Sequence, residues 1–201
     1  MKIVFMTGNK GKMREIRAIM ADLEIPVLSM KEAGIRAEIE ETGTTFQENA
    51  CIKASAAGVS PDTIFVADDS GLSVDAMNGE PGVYSSRFMG EDAGYDVKIG
   101  EILKRLSGLT GEERSARFEC CMAALFPDGS LKTAYAALEG QIADHTAGNG
   151  GFGYDPVFFL PEYGMTSAEI TAEEKNRISH RGKALREMKK IITAYLETHR
   201  I

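Results

Sequence analysis

A run of four apolar residues, Ile3 to Met6, breaks into Thr7-Gly8-Asn9, and Met13, Ile16, Met20 and Leu23 follow at spacings of three, four and three. A short continuous apolar run closed by a turn reads as a buried strand. The spacing after it predicts an amphipathic helix from Gly11 to Leu23. Val27 and Leu28 supply a second strand. Strand, loop, helix and strand in that order form a βαβ-type opening, which points the chain toward an α/β sheet.

The rest of the chain supports that class. Thr44 and Thr45 with Glu48 form a capping-box signature for a helix running to Ala57. Ile64 to Ala67 reads as a buried strand that stops at Asp68-Asp69-Ser70-Gly71. The Gly-rich stretch from Val74 to Glu91, with Pro81, reads as a loop. Val97, Ile102, Leu103 and Leu106 mark a third helix. Arg117 to Phe126 and Leu131 to Glu139 read as a hairpin around Pro127-Asp128-Gly129-Ser130. A last helix is expected from Ser179 to Leu196, with Leu185, Met188, Ile192 and Tyr195 on one face. With 201 residues and neither repeat nor linker, the chain is expected to be one domain over 1–201, or two lobes sharing one sheet.

Charge and cysteine content exclude several classes. A net charge of −7 argues against binding a nucleic acid polymer, which needs a basic face, though not against a small phosphate ligand in a locally basic pocket. Cys51, Cys120 and Cys121 give neither a disulfide framework nor a zinc spacing, and the last two are expected as reduced core residues on opposite sides of a strand. The first apolar run is shorter than the roughly 7–15 residues of a signal peptide. No stretch reaches the ~20 apolar residues of a membrane helix. The expectation is a cytoplasmic protein with no membrane association.

Four places could carry chemistry. Thr7, Gly8, Asn9, Lys10, Gly11 and Lys12 lie between a strand and a helix, where backbone N–H groups and the helix dipole attract phosphate. This is not a P-loop, because Met6 and Met13 stand where a glycine and a hydroxyl are needed. Asp68 and Asp69 are adjacent carboxylates after an apolar strand, a costly choice unless they hold a cation or share a proton; Mg²⁺ suits oxygen ligands of this kind. Glu41, or its neighbour Glu40, could add a further oxygen.

Gly148 to Gly153 matches Gly-x-Gly-x-x-Gly, but Tyr154-Asp155-Pro156 follows where a dinucleotide fold needs a helix. Those glycines suit close approach to a flat ligand, with Phe152 stacking on a base and Asp155 accepting from a ring N–H. Finally, His180 and Arg181 fall in the first turn of the last helix. The dipole disfavours cations there, so an anionic or carbonyl-bearing partner is expected. The three histidines lack zinc spacing, and Ser70 lacks a nucleophile elbow.

Together, Thr7-Gly8-Asn9-x-x-Lys12-x-x-Glu15, Glu41-Thr42-Gly43, Glu48-Asn49-Ala50-x-x-Lys53-Ala54, Ala67-Asp68-Asp69-Ser70-Gly71-Leu72, Gly79-x-Pro81-Gly82-x-Tyr84-Ser85-x-Arg87, Gly150-Gly151-Phe152-Gly153-Tyr154-Asp155-Pro156 and Glu174-Lys175-x-x-Ile178-Ser179-His180-Arg181-Gly182 resemble the inosine/xanthosine triphosphate pyrophosphatase family, in its order and over nearly the whole chain. The resemblance implies a two-lobed α/β fold, a mixed sheet flanked by helices with the active site in the cleft between the lobes. It implies a homodimer and Mg²⁺-dependent hydrolysis of ITP, dITP or XTP to the monophosphate and pyrophosphate.

By the same resemblance, Asp69 is the general base and a metal-linked carboxylate, with Asp68 and Glu41 as further metal ligands. Thr7 through Lys12 and Lys53 hold the triphosphate, and Ser70 touches substrate. Phe152, Gly153, Tyr154, Asp155, Lys175, His180 and Arg181 surround base and sugar. The competing readings are a pyrophosphatase for another modified nucleotide and a nucleotide-binding regulator without turnover.

Overall fold

The computed structural model describes residues 1–199. Its strands are β1 (Lys2–Phe5), β2 (Val27–Ser29), β3 (Thr63–Val74), β4 (Ser115–Leu125), β5 (Leu131–Ile142), β6 (Phe158–Leu160) and β7 (Met165–Thr166). Its helices are α1 (Lys10–Ile19), α2 (Phe46–Ser55), α3 (Tyr95–Arg105), α4 (Ala172–Ile178) and α5 (His180–Thr198). The seven strands form one sheet in the order β2-β1-β3-β4-β5-β6-β7. β1 pairs in parallel with β2 and β3, whereas β5, β6 and β7 pair antiparallel, so the sheet is mixed. No helix is long and apolar enough to cross a membrane among the described residues.

The chain divides into two compact units. Unit 1 holds Met1–Asp69, Cys120–Ala136 and the chain from Arg181; unit 2 holds Ser70–Glu119 and Ala137–His180. In unit 1 both faces of the sheet are buried. Ile3, Phe5, Ile64, Val66, Cys120 and Met122 pack with Met13 and Ile16 of α1 and Leu185, Met188 and Ile192 of α5. Val4, Phe65, Ala67, Cys121 and Ala123 pack with Ala50 and Ala54 of α2. Strand side chains alternate between faces, and the two neighbouring cysteines divide accordingly, both buried. Burial pushes the Cys121 thiol up to about 11, the behaviour of an inert core residue. In unit 2, Leu72, Val74, Ala116, Phe118 and Phe158 pack with Ile99 and Ile102 of α3.

The capping box of α2 forms as the sequence predicts: Thr45 accepts from the Glu48 amide and Glu48 returns to the Thr45 amide. Three features differ from expectation. α1 ends at Ile19 rather than Leu23. β3 does not stop at Asp68; it continues to Val74. Acidic residues are poor strand formers, but cations lie against both carboxylates, as described below. Finally, α4, β6 and β7 were not legible from periodicity. α4 is buried nowhere along its length, so it carries no apolar stripe. Its start was legible, because Thr171 caps the Glu174 amide at 3.2 Å in a Thr-x-x-Glu pattern.

Candidate active site

The continuation of β3 decides the geometry of the two carboxylates. Asp68 follows Ile64 and Val66 on the face of α1 and α5, and Asp69 follows Phe65 and Ala67 on the face of α2. Each finds a separate set of cations. Lys12 Nζ lies 2.7 Å from Asp68 Oδ2. Arg181 Nε lies 3.4 Å from the same oxygen, while Arg181 Nη1 reaches Glu15 at 3.3 Å. Burial opposes ionisation of Asp68, yet Lys12 and Arg181 outweigh it and hold the carboxyl well below the usual range.

On the other face, Lys53 Nζ bridges Asp69 Oδ1 at 2.9 Å and Glu41 Oε1 at 3.0 Å. Asn49 Nδ2 donates to Asp69 Oδ2 at 3.2 Å. Here burial wins: it raises Asp69 above the ordinary carboxylate value despite Lys53, and Glu41 adds to the rise. Burial works against the charge on Lys53, but Asp69, Asp68 and Glu41 together hold its pKa above normal. A carboxylate with a raised pKa beside a fixed cation is the environment of a proton acceptor.

The structure divides the three expected metal ligands. Glu41 and Asp69 are brought together through Lys53, whereas Asp68 faces the opposite side and is engaged by two cations. Among the described residues no three acidic, histidine or cysteine side chains form a ready cluster for a metal. The Glu41–Asp69 pair still fits Mg²⁺ by donor chemistry, because that ion is commonly held by one or two carboxylates with phosphate oxygens completing its shell.

The turn before α1 differs from a bare row of donors. Asn9 is the N-cap, and its side chain already accepts from the Gly11 and Lys12 amides at 2.8 and 3.1 Å. Thr7 Oγ1 accepts from the Asn9 amide at 3.2 Å. The turn borders a cavity of about 710 Å³ lined by Gly8, Lys10, Met13, Arg14, Arg17, Ser29, Lys31 and Glu32. Arg17 is neutralised by Glu32 at 2.5 Å, so Lys10, Arg14 and Lys31 set a positive potential there on an acidic chain.

The glycine-rich loop belongs to unit 2. Asp155 is its anchor. It is buried, and it takes hydrogen bonds from the Phe152 amide at 2.7 Å, from Ser167 Oγ at 2.8 Å and from Lys175 Nζ. Gly151, at φ +73°, is required: a Cβ there would fall 2.1 Å from Asp155 Oδ2. Phe152 is 45% exposed, with Lys175 Nζ 4.9 Å from its ring centroid. Its ring is the part of the loop able to stack on a planar ligand. Gly153, also at positive φ, lies against the Tyr95 ring. Tyr154 is core: its hydroxyl donates to Ser85 O at 2.8 Å and its ring meets Tyr95 edge-on at 5.1 Å. Ser70 lies half-buried within β3.

His180 and Arg181 do begin α5. At Arg181 the protein itself supplies anions against the helix dipole, Asp68 and Glu15. His180 is stacked on Phe118, with centroids 5.0 Å apart. The sequence reading assigned no role to Glu15 or Asn49. A signal existed for both. Glu15 falls one turn after Lys12 in α1, and Asn49 is a polar residue one turn before Lys53, flanked by the small apolar Ala50 in α2.

Residues 3–191 match the model of the Ham1 family. The chain is 46% identical over 197 residues to the dITP/XTP pyrophosphatase of Listeria monocytogenes, covering 98% of this chain and 97% of that one. It is 43% identical over 191 residues to the dITP/XTP pyrophosphatase of Bacillus subtilis, covering 95% and 96%. A solved Ham1 protein from Coxiella burnetii superposes with a TM-score of 0.88 at 39% identity, covering 96% of this chain and 99% of that one. The Staphylococcus aureus Ham1 protein gives 0.85 at 38% identity over the whole of both chains. Family model, near full-length identity and shared fold agree, and the chain belongs to the Ham1 family.

Proposed function

We propose that this protein hydrolyses deaminated purine nucleoside triphosphates, dITP, ITP and XTP, to the monophosphate and pyrophosphate, as a single catalytic domain over 1–201. The observation that carries the reading is Asp69. It is a buried carboxylate of raised pKa, fixed between Lys53 and Asn49, in a chain near half identical to dITP/XTP pyrophosphatases over its length.

In unit 1, Asp69 takes a proton from the attacking water as the α–β phosphoanhydride breaks; the water oxygen ends on phosphorus and pyrophosphate leaves. Lys53 and Lys12, with the Thr7 to Lys12 turn, hold the negative phosphates and stabilise the charge that develops on them. Mg²⁺, held by Glu41 and Asp69, supplies further neutralisation of the phosphate oxygens when bound. Asp68 keeps Lys12 and Arg181 in place. In unit 2, Phe152 stacks on the purine, and Lys175, with His180, donates toward the 6-oxo group that adenine lacks. Ser70 and the Gly153 backbone complete the substrate contacts. A site built to hydrogen-bond an oxo group leaves adenine mismatched, and such rejection reaches ~10⁴–10⁵-fold. The homodimer implied by the family resemblance is part of the proposal. Tyr84, Met89 and Val97 of unit 2 are exposed apolar side chains of the kind a subunit contact covers.

The test is product release from dITP, XTP, dGTP, dATP and dUTP, with Mg²⁺ and with EDTA. Pyrophosphate from dITP and XTP alone, abolished by EDTA, is the expected result. Orthophosphate as the product would overturn the proposed bond cleavage, preferential turnover of dUTP would move the protein to a pyrimidine substrate, and tight dITP binding without product would make it a regulator.

A further inference from the structure

Asn49 is fully buried, a position where an amide is costly unless both ends are bonded. Both are. Its Oδ1 accepts from the Gly43 amide at 2.8 Å and its Nδ2 donates to Asp69 Oδ2 at 3.2 Å. Chemistry dictates this orientation of the amide, since the backbone offers only a donor and the carboxylate offers acceptors. Gly43 lies two residues from Glu41. The approach is so close that a Cβ on Gly43 would fall 2.7 Å from Asn49 Oδ1 and 2.6 Å from Glu48 Cβ. Asn49 also stands one helical turn before Lys53, which holds the other oxygen of Asp69 and reaches Glu41. One face of α2 therefore grips both oxygens of Asp69 and, through Gly43, the segment bearing Glu41. The helix itself is anchored at its start by the Thr45–Glu48 box.

We infer that Asn49 is a positioning residue that sets the spacing between Asp69 and the Glu41-bearing segment by tying both to α2. The inference rests on the hydrolase reading for its catalytic consequence, but its structural half stands separately. Lys53 alone cannot do this work. Its ammonium sits on a flexible four-carbon stem, whereas a short amide buried at both ends has one placement. Loss of a residue that orients a functional carboxylate typically costs ~10–100-fold in activity.

Two variants separate the halves of the link. Asn49→Asp keeps an oxygen for the Gly43 amide but removes the donor to Asp69; Asn49→Leu removes both. For dITP, kcat is expected to fall at least ~10-fold in each, with KM within about twofold. Hydrogen exchange of the Gly43 amide is expected to accelerate in Asn49→Leu and to stay slow in Asn49→Asp. A merely structural Asn49 would instead lower stability in both variants while leaving kcat of the folded fraction at the wild-type value, and that result would overturn the inference. Equal Gly43 exchange in both variants would overturn it too. Should Asn49→Leu fail to fold, Gly43→Ala pushes Asn49 aside with its amide intact and is expected to reproduce the kcat loss; wild-type turnover there sinks the proposal. If the unmodified protein releases no pyrophosphate from any triphosphate, the hydrolase reading fails, while the exchange comparison still decides whether the link exists.

Discussion

Replacing Asp69 with Asn preserves its shape and removes the group that accepts the proton. Turnover of dITP is expected to fall by ~10²–10⁴-fold, the usual share of general-base help. Stability should move the other way. The folded pKa of Asp69 is raised, so its ionised form at neutral pH is disfavoured by folding, and its contribution is lost as pH rises through that pKa. Asp69→Asn is therefore expected to be at least as stable as wild type in urea denaturation at pH 7, and a clear loss of stability would contradict the burial argument. Asp68→Asn should do the reverse. Its folded pKa is depressed, so its stabilisation is present above the ordinary carboxylate value of about 3.9 and fades as pH falls through the folded value. Removing it takes the carboxylate from half-buried Lys12 and leaves buried Arg181 with Glu15, so the variant is expected to lose stability at pH 7, by no more than the about 3–5 kcal/mol of a broken buried pair. The difference from wild type should shrink below pH ~4, and a pH-independent difference would remove charge from the explanation.

At the scale of elements, the strand β3 and the loop from Gly148 to Gly153 organise the chemistry. β3 sends consecutive carboxylates to opposite faces, which is why two adjacent acids need not repel each other across one site. The loop is held by Asp155, whose partners come from Phe152, Ser167 and Lys175. Gly151→Ala places a methyl against that carboxylate at a backbone angle that L-residues rarely adopt. It is expected to raise KM for dITP by roughly 5- to 150-fold, through loss of a stacking contact of ~1–3 kcal/mol per base. In the same variant kcat should change little, because Asp69 and Lys53 lie in the other unit. A fall in kcat with normal KM would show that the loop acts on the chemical step.

The whole molecule is acidic, yet Asp68, Asp69 and Glu41 each lie against a cation of the protein. Asp68 has Lys12 and Arg181; Asp69 and Glu41 share Lys53. Folding therefore needs no metal to give each of them a positive partner. EDTA is expected to abolish turnover while leaving the thermal midpoint within about 2 °C, since only ligands bound to the native state add stability. A fall of many degrees on chelation, read by calorimetry without nucleotide, would give the metal a structural role.

The order of strands and helices from β1 to β5, the last helix, the cap of α2, the core placement of Cys120 and Cys121 and the family itself were legible along the chain, because periodicity, turn chemistry and ordered motifs are local properties. So were most of the residues proposed for the site. The full length of β3 was not, since acidic residues oppose a strand locally and only Lys12, Arg181, Lys53 and Asn49, arriving from distant segments, make it stable. Internal partners also engage Arg181, through Asp68 and Glu15, and Asp155, through Phe152, Ser167 and Lys175, and they bring Asn49 beside Asp69. Sequence determined which chemical groups are available. Only tertiary structure decided which carboxylate faces which cation, because in the interior the energy of a charge depends on its neighbours rather than on its place in the chain.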